Sequence, residues 1–479
     1  MTQDIQSLEA VQNRFPLPSR ESVESALRHQ LASSPYQVVV LDDDPTGVQT
    51  VYGVSVYTDW EEDTLLRAFQ EERQMFFILT NSRSFTAEHT ARVHRDIVKH
   101  ILGAARATGK EPLIISRGDS TLRGHYPLET QVLSHTIAEQ TGGHIDGEIL
   151  IPFFPEGGRY TYGDIHYVLD SGGLVPAGET EFARDKTFGY HSSDLREWIE
   201  EKTAGRYPAR DVVSIGLGEL RAQDYQGICQ KLMGVFGFGK VVVNALDYCD
   251  IKVFSTALLI AMAKGKRFLF RTAAAFTKVI GGISDQPLLT RGQLVDDGPR
   301  HGGLIVAGSH VKKTTDQLEK LLELPQVSPV VFDQHLVLQP EKFKKEITRV
   351  ISICEKNIAM GVTTVVMTRR ERLDLNSGSE EDELRISVQI SDAVTSIVSR
   401  LTVRPAFLIA KGGITSSDIG TKGLGVKRAT VLGQVRPGIP VWRIGPESKF
   451  PGLAYVIFPG NVGAKEDLKT IVAALTSKN

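Results

Sequence analysis

Short hydrophobic runs recur along the chain, and each one breaks off into glycine, proline or polar residues. Apolar runs bounded in this way are typical of buried strands. In the first part of the chain the pattern predicts strands at residues 38–41, 54–58, 76–80, 113–116, 149–154, 212–215, 241–246 and 268–270. In the second part it predicts them at residues 304–308, 330–332, 363–368, 406–410, 429–433 and 455–458.

Amphipathic stretches of helical length lie between several of these runs. The clearest are residues 86–106 and 251–263, and a closing helix is predicted at about 465–477. Strands that alternate with helices predict an α/β fold whose mixed or mostly parallel sheets are covered by helices. Val23, Leu27 and Leu31 recur at helical spacing in a polar segment, which predicts a peripheral helix that packs by one stripe.

The length of the chain, 479 residues, predicts two domains, because one domain usually takes ~100–200 residues. A polar, glycine-containing stretch at 281–303 interrupts the alternation and is the predicted linker. The predicted organisation is a peripheral N-terminal helix segment at 1–35, a first α/β domain at 36–280, the linker, and a second α/β domain at 304–479. The acidic segment 375–383 is predicted to be a surface loop.

Three adjacent carboxylates, Asp42, Asp43 and Asp44, follow the first strong strand. In open parallel sheets ligands bind outside the carboxyl ends of the strands. Adjacent carboxylates repel one another, so turn formation alone explains them poorly. The cluster favours a functional role, which is to bind sugar hydroxyls, to deprotonate one of them, or to hold a magnesium ion.

Arginines follow the next two strands. Arg83 comes after the strand at 76–80, and Arg117 ends the strand at 113–116, with Asp119, Ser120 and Arg123 close behind. An arginine fork binds a carboxylate in bidentate fashion. Ordinary ion pairs would explain any one of these residues, but the constellation predicts a site for a small hydroxy acid.

Glycine-rich turns end three strands of the predicted second domain, at 308–310, 411–418 and 459–463. Paired glycines let backbone N–H groups approach a phosphate, and the N-terminus of the following helix favours negative charge. Three such turns in one α/β domain predict a nucleotide site. Helix-like residues are expected to start at about Thr314, with Thr314 or Thr315 as the cap.

Other familiar motifs are absent or misplaced. The segment 234–240 resembles the first part of a phosphate-binding loop, but Val241 replaces the required hydroxyl and the segment precedes a strand. No dinucleotide fingerprint or nucleophile elbow occurs in a suitable position. Residues 155–166 are predicted to form a long ordered loop, and its lone His166 is weak evidence for a ligand role.

Composition and charge restrict the partners. The formal net charge of −2 and the pI near 6.7 predict binding to neither nucleic acid nor an anionic membrane. No apolar run reaches the ~18–20 residues of a membrane span, and the N-terminus lacks the apolar segment of a signal peptide. Three scattered cysteines form no disulfide framework, so a cytoplasmic location is expected. A homodimer is compatible with the sequence.

Several of these motifs together resemble the four-carbon acid sugar kinase family, the ATP-dependent kinases of threonate, erythronate and 3-oxo-tetronate type substrates. The resemblance runs from about residue 37 to the C-terminus. It is carried by LDDDPTGVQT, TNSRSF, SRGDSTLRGHYPLET, IPFFPEGGRYT, LIVAGSH, LIAKGGITSSD, ATVLGQVRPGIPVW and FPGNVG.

The resemblance implies an acid-sugar-binding domain at 36–280, a nucleotide-binding domain at 304–479 and an active site between them, with ATP and Mg²⁺ as cofactors. The sugar site would take Asp43, Asp44, Arg83, Arg117, Asp119 and Ser120, and Arg123 is added from its position. The nucleotide site would take Ser309, Gly412, Gly413, Ile414, Thr415, Gly460, Asn461 and Gly463.

Two positions depart from the family pattern. Many members carry an acidic residue where this chain has Ile414, which leaves the metal ligands unassigned, and the triple-Asp motif resembles a distinct subgroup. Arg83 and Arg117 are expected to bind the substrate carboxylate, and one acid among Asp43, Asp44 and Asp119 to accept the hydroxyl proton. The alternatives are a non-catalytic sensor of a sugar acid or nucleotide, and another enzyme of sugar-acid metabolism.

Overall fold

The computed structural model describes residues 7–170, 172–296, 301–371, 373, 380–460 and 462–477. It divides into two compact units. The first unit comprises Met1–Val51 and Asp59–Asp285, and the second comprises Tyr52–Thr58 and Gln286–Asn479. Each unit is a sheet covered by helices, which confirms the predicted α/β fold class.

The strands follow the predicted apolar runs closely. In chain order they are β1 (Tyr36–Asp42), β2 (Ser55–Tyr57), β3 (Met75–Leu79), β4 (Glu111–Arg117), β5 (Gly147–Ile151), β6 (Arg159–Tyr162), β7 (Ile165–Asp170), β8 (Gly173–Pro176), β9 (Val213–Ile215), β10 (Gly239–Val243), β11 (Phe268–Thr272), β12 (Leu304–Ala307), β13 (Val327–Phe332), β14 (Thr363–Thr368), β15 (Leu408–Lys411), β16 (Arg428–Arg436), β17 (Ile439–Ile444) and β18 (Ala454–Phe458).

The α-helices lie between the strands, as the alternation predicts. They are α1 (Leu8–Gln12), α2 (Arg20–Ala32), α3 (Glu62–Gln70), α4 (Ala87–Thr108), α5 (Leu128–Thr141), α6 (Leu195–Lys202), α7 (Leu217–Arg221), α8 (Tyr225–Met233), α9 (Tyr248–Ala263), α10 (Ala274–Ile280), α11 (Arg291–Leu294), α12 (Lys312–Leu321), α13 (Pro340–Ala359), α14 (Glu380–Arg400), α15 (Gly413–Asp418) and α16 (Asp467–Thr476). Short 3₁₀ turns and one π-helical turn, Ile419–Gly423, complete the chain.

The main sheet of the first unit is entirely parallel, in the order β3-β1-β4-β11-β5-β10-β9. Its strands are buried along most of their length; Val39, Phe77 and Ile115, for example, are fully buried. A parallel sheet must be covered on both faces, and this explains why its strands are continuous apolar runs rather than alternating ones. The peripheral helix α2 buries Val23 and Leu27, and Leu31 is half-buried.

A small antiparallel sheet, β6-β7-β8, occupies the segment that was predicted to be a long loop. His166 of β7 is buried there: its Nε2 donates to the Ser120 carbonyl oxygen at 2.8 Å, and its Nδ1 accepts from the Thr161 hydroxyl at 2.9 Å. Burial lowers the pKa of His166 to about 4. His166 is therefore a neutral, fully bonded residue that supports the backbone of Ser120.

The sheet of the second unit is mixed, in the order β13-β14-β12-β15-β18-β17-β16-β2. The strands β13, β14, β12, β15 and β18 are parallel, whereas β17, β16 and β2 pair in antiparallel fashion. Its strand β2 comes from an early part of the chain, and the Arg428 guanidinium donates to Ser55 Oγ, 373 positions away. The core includes Ile305, Val365 and Ile409, all fully buried.

Two local predictions in the second unit are wrong. Helix α12 begins at Lys312 after Val311, two residues before the predicted start at Thr314. Helix α14 begins at Glu380, so residues 380–383 of the predicted acidic loop are helical, and residues 375–379 lie outside the described part of the chain. Within the described ranges, no helix has the length and apolar character needed to cross a membrane.

Candidate functional site

The parallel register of the first unit brings its polar strand ends to one edge of the sheet. Asp42, at the end of β1, lies opposite Leu79 on one side and Arg117 on the other. Arg117 in turn lies opposite Thr272, at the end of β11. Four neighbouring strands therefore deliver the residues that follow them to the same place, as expected for a ligand site in an open parallel sheet.

Asp43 and Arg83 form a bidentate ion pair. The Arg83 guanidinium donates to the two Asp43 carboxylate oxygens at 2.6 and 3.2 Å, and to Asp44 at 3.4 Å. The Asp43 side chain is 2% exposed, whereas that of Asp44 is 15% exposed. Burial raises the pKa of Asp43, and the charge of Arg83 opposes that effect. Asp44 is the member of the pair of acids that an incoming ligand reaches more readily.

Asp42 and Arg117 are both buried. The Arg117 guanidinium donates to Asp42 Oδ1 at 3.3 Å and to Gln49 Oε1 at 3.4 Å. A Cβ atom at Gly47 would lie only 1.8 Å from Asp42 Oδ2, so only glycine allows the turn to close over this carboxylate. Burial raises the pKa of Asp42 to about 8, whereas the charge of Arg117 lowers it. Burial is the main cause of the shift, and repulsion by Asp43 and Asp44 adds to it.

The raised pKa of Asp42 predicts a specific pH dependence of stability. Its folded-state pKa of about 8 exceeds its ordinary value of 3.8, so its stabilising contribution is greatest in acid and is lost as pH rises towards 8. Asp42→Asn removes this titration. Urea unfolding at pH 5, 6, 7 and 8 is expected to show the free energy of unfolding of the variant rising relative to wild type. Parallel pH profiles would contradict the assignment.

Asp119 is an ionised acid held by its neighbours. It accepts a hydrogen bond from Arg123 Nε at 2.7 Å and another from the Thr121 hydroxyl. Although burial alone would raise the pKa of Asp119, the charges of Arg123 and Arg83 hold it well below its usual range. Arg123 and Arg83 therefore keep Asp119 ionised.

Two buried residues of this cluster, Arg271 and Glu129, were not predicted from the sequence. Arg271 pairs with Glu129 and donates to Ser116 Oγ at 3.1 Å. A Cβ at Gly118 would lie 2.2 Å from the Arg271 guanidinium carbon, so this glycine allows the arginine to cross above β4. The available signal was an arginine at the end of an otherwise apolar strand.

The second unit contains a cavity of about 350 Å³ at the carboxyl ends of β14, β12 and β15. This volume lies in the range of ligand pockets, ~300–1,000 Å³. The residues that line it are Gly308, Ser309, His310, Gln334, Thr368, Leu373, Glu383, Ile386, Ser387, Ile390, Ser391, Val394, Thr395, Gly412, Gly413, Ile414, Thr415 and Gly460.

The predicted glycine loops form the polar side of this cavity. Gly412 has φ = 114°, which L side chains rarely adopt, and a Cβ there would contact Ser309 Cβ at 3.4 Å. A Cβ at Gly308 would lie 2.8 Å from Thr415 Oγ1. The two loops therefore approach each other closely because both carry glycine. Gly413 begins the short helix α15.

The remaining predicted nucleotide residues occupy different positions. Gly460 and Ile414 line the cavity, and Ile414 is 69% exposed. Gly463 does not line the cavity; it has φ = 86° and lies beside Gln317, whose side chain holds the backbone of this loop. Asn461 lies outside the described residues.

Helix α14 supplies an apolar wall that was not predicted. Ile386, Ile390 and Val394 recur every four residues and line the cavity. A cavity with glycine loops on one side and aliphatic side chains on the other suits a ligand that has a charged end and a flat, apolar end.

Lys411 connects two loops that border the cavity. Its Nζ donates to the Pro459 carbonyl oxygen at 2.5 Å and to that of Gly460 at 3.4 Å. Burial, with a smaller effect from the charge of Lys313, lowers the pKa of Lys411 to about 7. One side chain therefore joins the loop after β15 to the loop after β18.

Thr368 ends β14 and is one of the residues that line the cavity. It is 1% exposed, and its Oγ1 makes no hydrogen bond to any residue that the structure describes. A buried hydroxyl without a partner costs about 1–3 kcal/mol, so such a group at a cavity wall is suited to a ligand.

The described residues offer no preformed metal site. They contain no group of three or more His, Cys, Asp and Glu side chains arranged to hold a metal ion. Asp42, Asp43 and Asp119 are paired with arginines, and the Ile414 side chain offers no ligand atom. The described residues alone therefore do not fit a resident Mg²⁺.

Comparison with family models identifies both halves of the chain. Residues 38–280 match the model of a sugar-binding N-terminal domain. Residues 304–468 match the model of a nucleotide-binding C-terminal domain. No curated protein matches the sequence.

Two solved structures share the fold. The Haemophilus influenzae protein HI1011 is 15% identical with a TM-score of 0.58, over 92% of this chain and 100% of that chain. A Salmonella typhimurium LT2 protein, provisionally named a tRNA synthase, is 15% identical with a TM-score of 0.61, over 92% of this chain and 98% of that chain. At this identity the likeness concerns the fold alone.

Proposed function

Because the chain belongs to the family that joins a sugar-binding N-terminal domain to a nucleotide-binding C-terminal domain, we propose that it is an ATP-dependent kinase of a small, four-carbon sugar acid. The observation that carries the proposal is the presence, in one chain, of a cluster of carboxylates and guanidinium groups and a separate glycine-lined cavity. The first suits a polyhydroxylated acid, and the second suits a nucleotide.

In the proposed sugar site, the acids have different roles. Asp119 stays ionised and accepts hydrogen bonds from substrate hydroxyls, which its lowered pKa supports. Asp44, the most exposed of the three adjacent acids, accepts the proton of the hydroxyl that is phosphorylated. Asp43 and Arg83 form the fixed pair that positions Asp44, because the Arg83 guanidinium donates to both acids.

In the proposed nucleotide site, the glycine loops bind the phosphates and the α14 wall contacts the base. In this arrangement the Gly413 backbone N–H and the Thr415 hydroxyl donate to the phosphates, whereas the Gly412 N–H already donates to the Phe458 carbonyl oxygen at 2.9 Å. Bound ATP would supply the γ-phosphoryl group. Phosphoryl transfer depends mostly on positioning and on electrostatic stabilisation, which these groups provide. No protein residue is assigned to Mg²⁺.

A screen of ADP release with C4 to C6 sugar acids, in the presence of ATP and Mg²⁺, tests the proposal. We expect turnover with one or a few four-carbon acids and none with the matched neutral polyols. Binding of both ligands without ADP release would instead support a sensor. Binding of sugar acids with no nucleotide binding would contradict a kinase and favour another enzyme of sugar-acid metabolism.

Thr368→Val tests whether the cavity of the second unit binds the nucleotide. The change removes a hydroxyl that lacks a partner among the described residues, so the unliganded variant should melt at the same temperature or higher. Its affinity for ATP, measured by calorimetry, should fall by about 10-fold.

Thr314→Val is the matched control, because Thr314 is also buried, its Oγ1 has no partner among the described residues, and it does not line the cavity. This control should leave the ATP affinity unchanged. A lower melting temperature for Thr368→Val than for Thr314→Val would mean that the Thr368 hydroxyl serves the fold.

A further inference from the structure

Arg159 is a buried arginine next to the candidate sugar site. It begins β6, and its backbone N–H and carbonyl oxygen both pair with Phe154, at 2.9 and 3.0 Å. The residue is 6% exposed. Because β6 pairs with β7 and Arg159 also pairs with Phe154, the backbone of Arg159 is held in place.

The Arg159 guanidinium has no hydrogen-bonded or ion-paired partner among the described residues. It forms no ion pair and no hydrogen bond with them, and its Nε is fully buried. The other arginines of the cluster are each paired with a carboxylate: Arg83 with Asp43, Arg117 with Asp42, Arg123 with Asp119, and Arg271 with Glu129. Arg159 is the exception within the part of the cluster that the structure describes.

A buried cation without a counter-charge is costly, so its retention needs a reason. Burial lowers the pKa of Arg159, and the negative charge of Asp119 opposes this effect. The Phe182 ring lies 5.6 Å from the Arg159 guanidinium carbon and 5.1 Å from that of Arg123. An aromatic face alone stabilises a cation less than a carboxylate does.

The surrounding backbone leaves room for this guanidinium. A Cβ at Gly157 would lie 3.2 Å from Arg159 Nη1 and 2.4 Å from the Phe154 ring. Asp119, Arg123 and Phe182 connect Arg159 to the acids of the candidate sugar site. The group is therefore buried near the proposed hydroxyl-binding acid, without a carboxylate in hydrogen-bond contact.

We propose that Arg159 binds the carboxylate of the substrate, so that the ligand itself supplies the missing negative charge. This inference rests on the proposed specificity for sugar acids. It assigns the substrate carboxylate to Arg159 instead of to Arg83 and Arg117. The sequence predicts this role for Arg83 and Arg117, but their guanidinium groups already bind Asp43 and Asp42. A guanidinium that is free to form a bidentate pair suits a planar carboxylate better.

The test is Arg159→Met in the full-length protein, with L-threonate, D-erythronate and a panel of C4 to C6 aldonates as probes. The matched polyols, threitol and erythritol, serve as neutral ligands. We expect the aldonate affinity to fall at least about 30-fold, because a buried ion pair is lost on binding. Affinity for the polyols should change little. Arg159→Lys, which keeps the charge and loses the fork, should be intermediate.

The melting temperature of the unliganded protein separates binding from a role in the fold. Arg159→Met removes an unpaired cation and should leave that temperature unchanged or higher. Arg123→Met is the matched control, because Arg123 contacts the same Phe182 ring. Loss of the Arg123 guanidinium leaves Asp119 without its hydrogen-bond donor at 2.7 Å and should lower the melting temperature.

Each outcome decides the inference. Aldonate binding that Arg159→Met leaves intact would overturn the role of Arg159 and leave the proposed kinase activity in place. Destabilisation similar to that of Arg123→Met, or equal losses for aldonates and polyols, would make Arg159 a structural residue. If the wild-type protein binds no aldonate, the substrate class and the role of Arg159 both fall.

Discussion

Replacing Asp44 by asparagine is expected to lower kcat by ~10²–10⁴-fold, the range that general-base catalysis supplies. The change is nearly isosteric and removes the proton acceptor. Asp42 is held by Arg117 beneath the turn at Gly47, and Asp43 is held by both arms of the Arg83 fork. Asp44 is the acid of the three whose side chain is partly exposed, at 15%. The affinities for ATP and for the sugar acid should change only a few fold.

The measurement is steady-state ADP release together with calorimetry of both ligands. Asp42→Asn is the matched control, because it makes the same chemical change at the neighbouring enclosed position and should retain kcat. An unchanged kcat in Asp44→Asn would remove Asp44 from the role of base and direct attention to Asp43 or Asp119. A loss of ligand affinity as large as the loss of kcat would indicate a binding role instead.

Gly412→Val is expected to weaken nucleotide binding by about 100-fold or more. A valine at φ = 114° is strained, which costs ~1–3 kcal/mol, and its side chain would be directed at Ser309 across the glycine loops. The branched side chain would also keep phosphate away from the backbone N–H groups. Gly412 carries the left-handed conformation, so it is a more severe test than Gly413.

Calorimetry with a non-hydrolysable ATP analogue and with a sugar acid measures both sites. The sugar-acid affinity should be retained, because that proposed site lies in the first unit. Gly452→Val is the matched control: Gly452 has φ = 74° in the same unit, and a Cβ there would meet nothing within 4 Å. It should lower stability without changing nucleotide affinity. Normal affinity in Gly412→Val would place the phosphates elsewhere.

The sequence was a good guide to the strands of the parallel sheets. The run at 363–368 matches β14 residue for residue, since a fully buried strand has no polar face and its ends are marked by turn residues. It was a poor guide to β6 and β7, where the half-buried pattern around Tyr162 and His166 is broken by Gly163 and resembles a loop. Because burial is partial and the turn is tight, the alternation of polar and apolar residues that marks a strand is not visible in the sequence.

The candidate sites were predictable only as residues after strands, because their partners come from other strands. Local spacing places Arg83 after β3 but gives no sign that it pairs with Asp43, 40 positions earlier. The same holds for Arg271 and Glu129, which are 142 positions apart. The wall formed by α14 was not predicted. In the sequence, an apolar stripe on a helix looks the same whether it lines a cavity or packs into a core.

Strand β2 also affects how the chain is made. Its Ser55 meets Arg428 only after a further 373 residues have been synthesised. At a translation rate of ~5–20 residues per second, this interval is about 20–75 s. During that time the segment Tyr52–Thr58 lacks its partner strand β16. The sheet of the second unit can therefore be completed only late in synthesis, once β16 has been made.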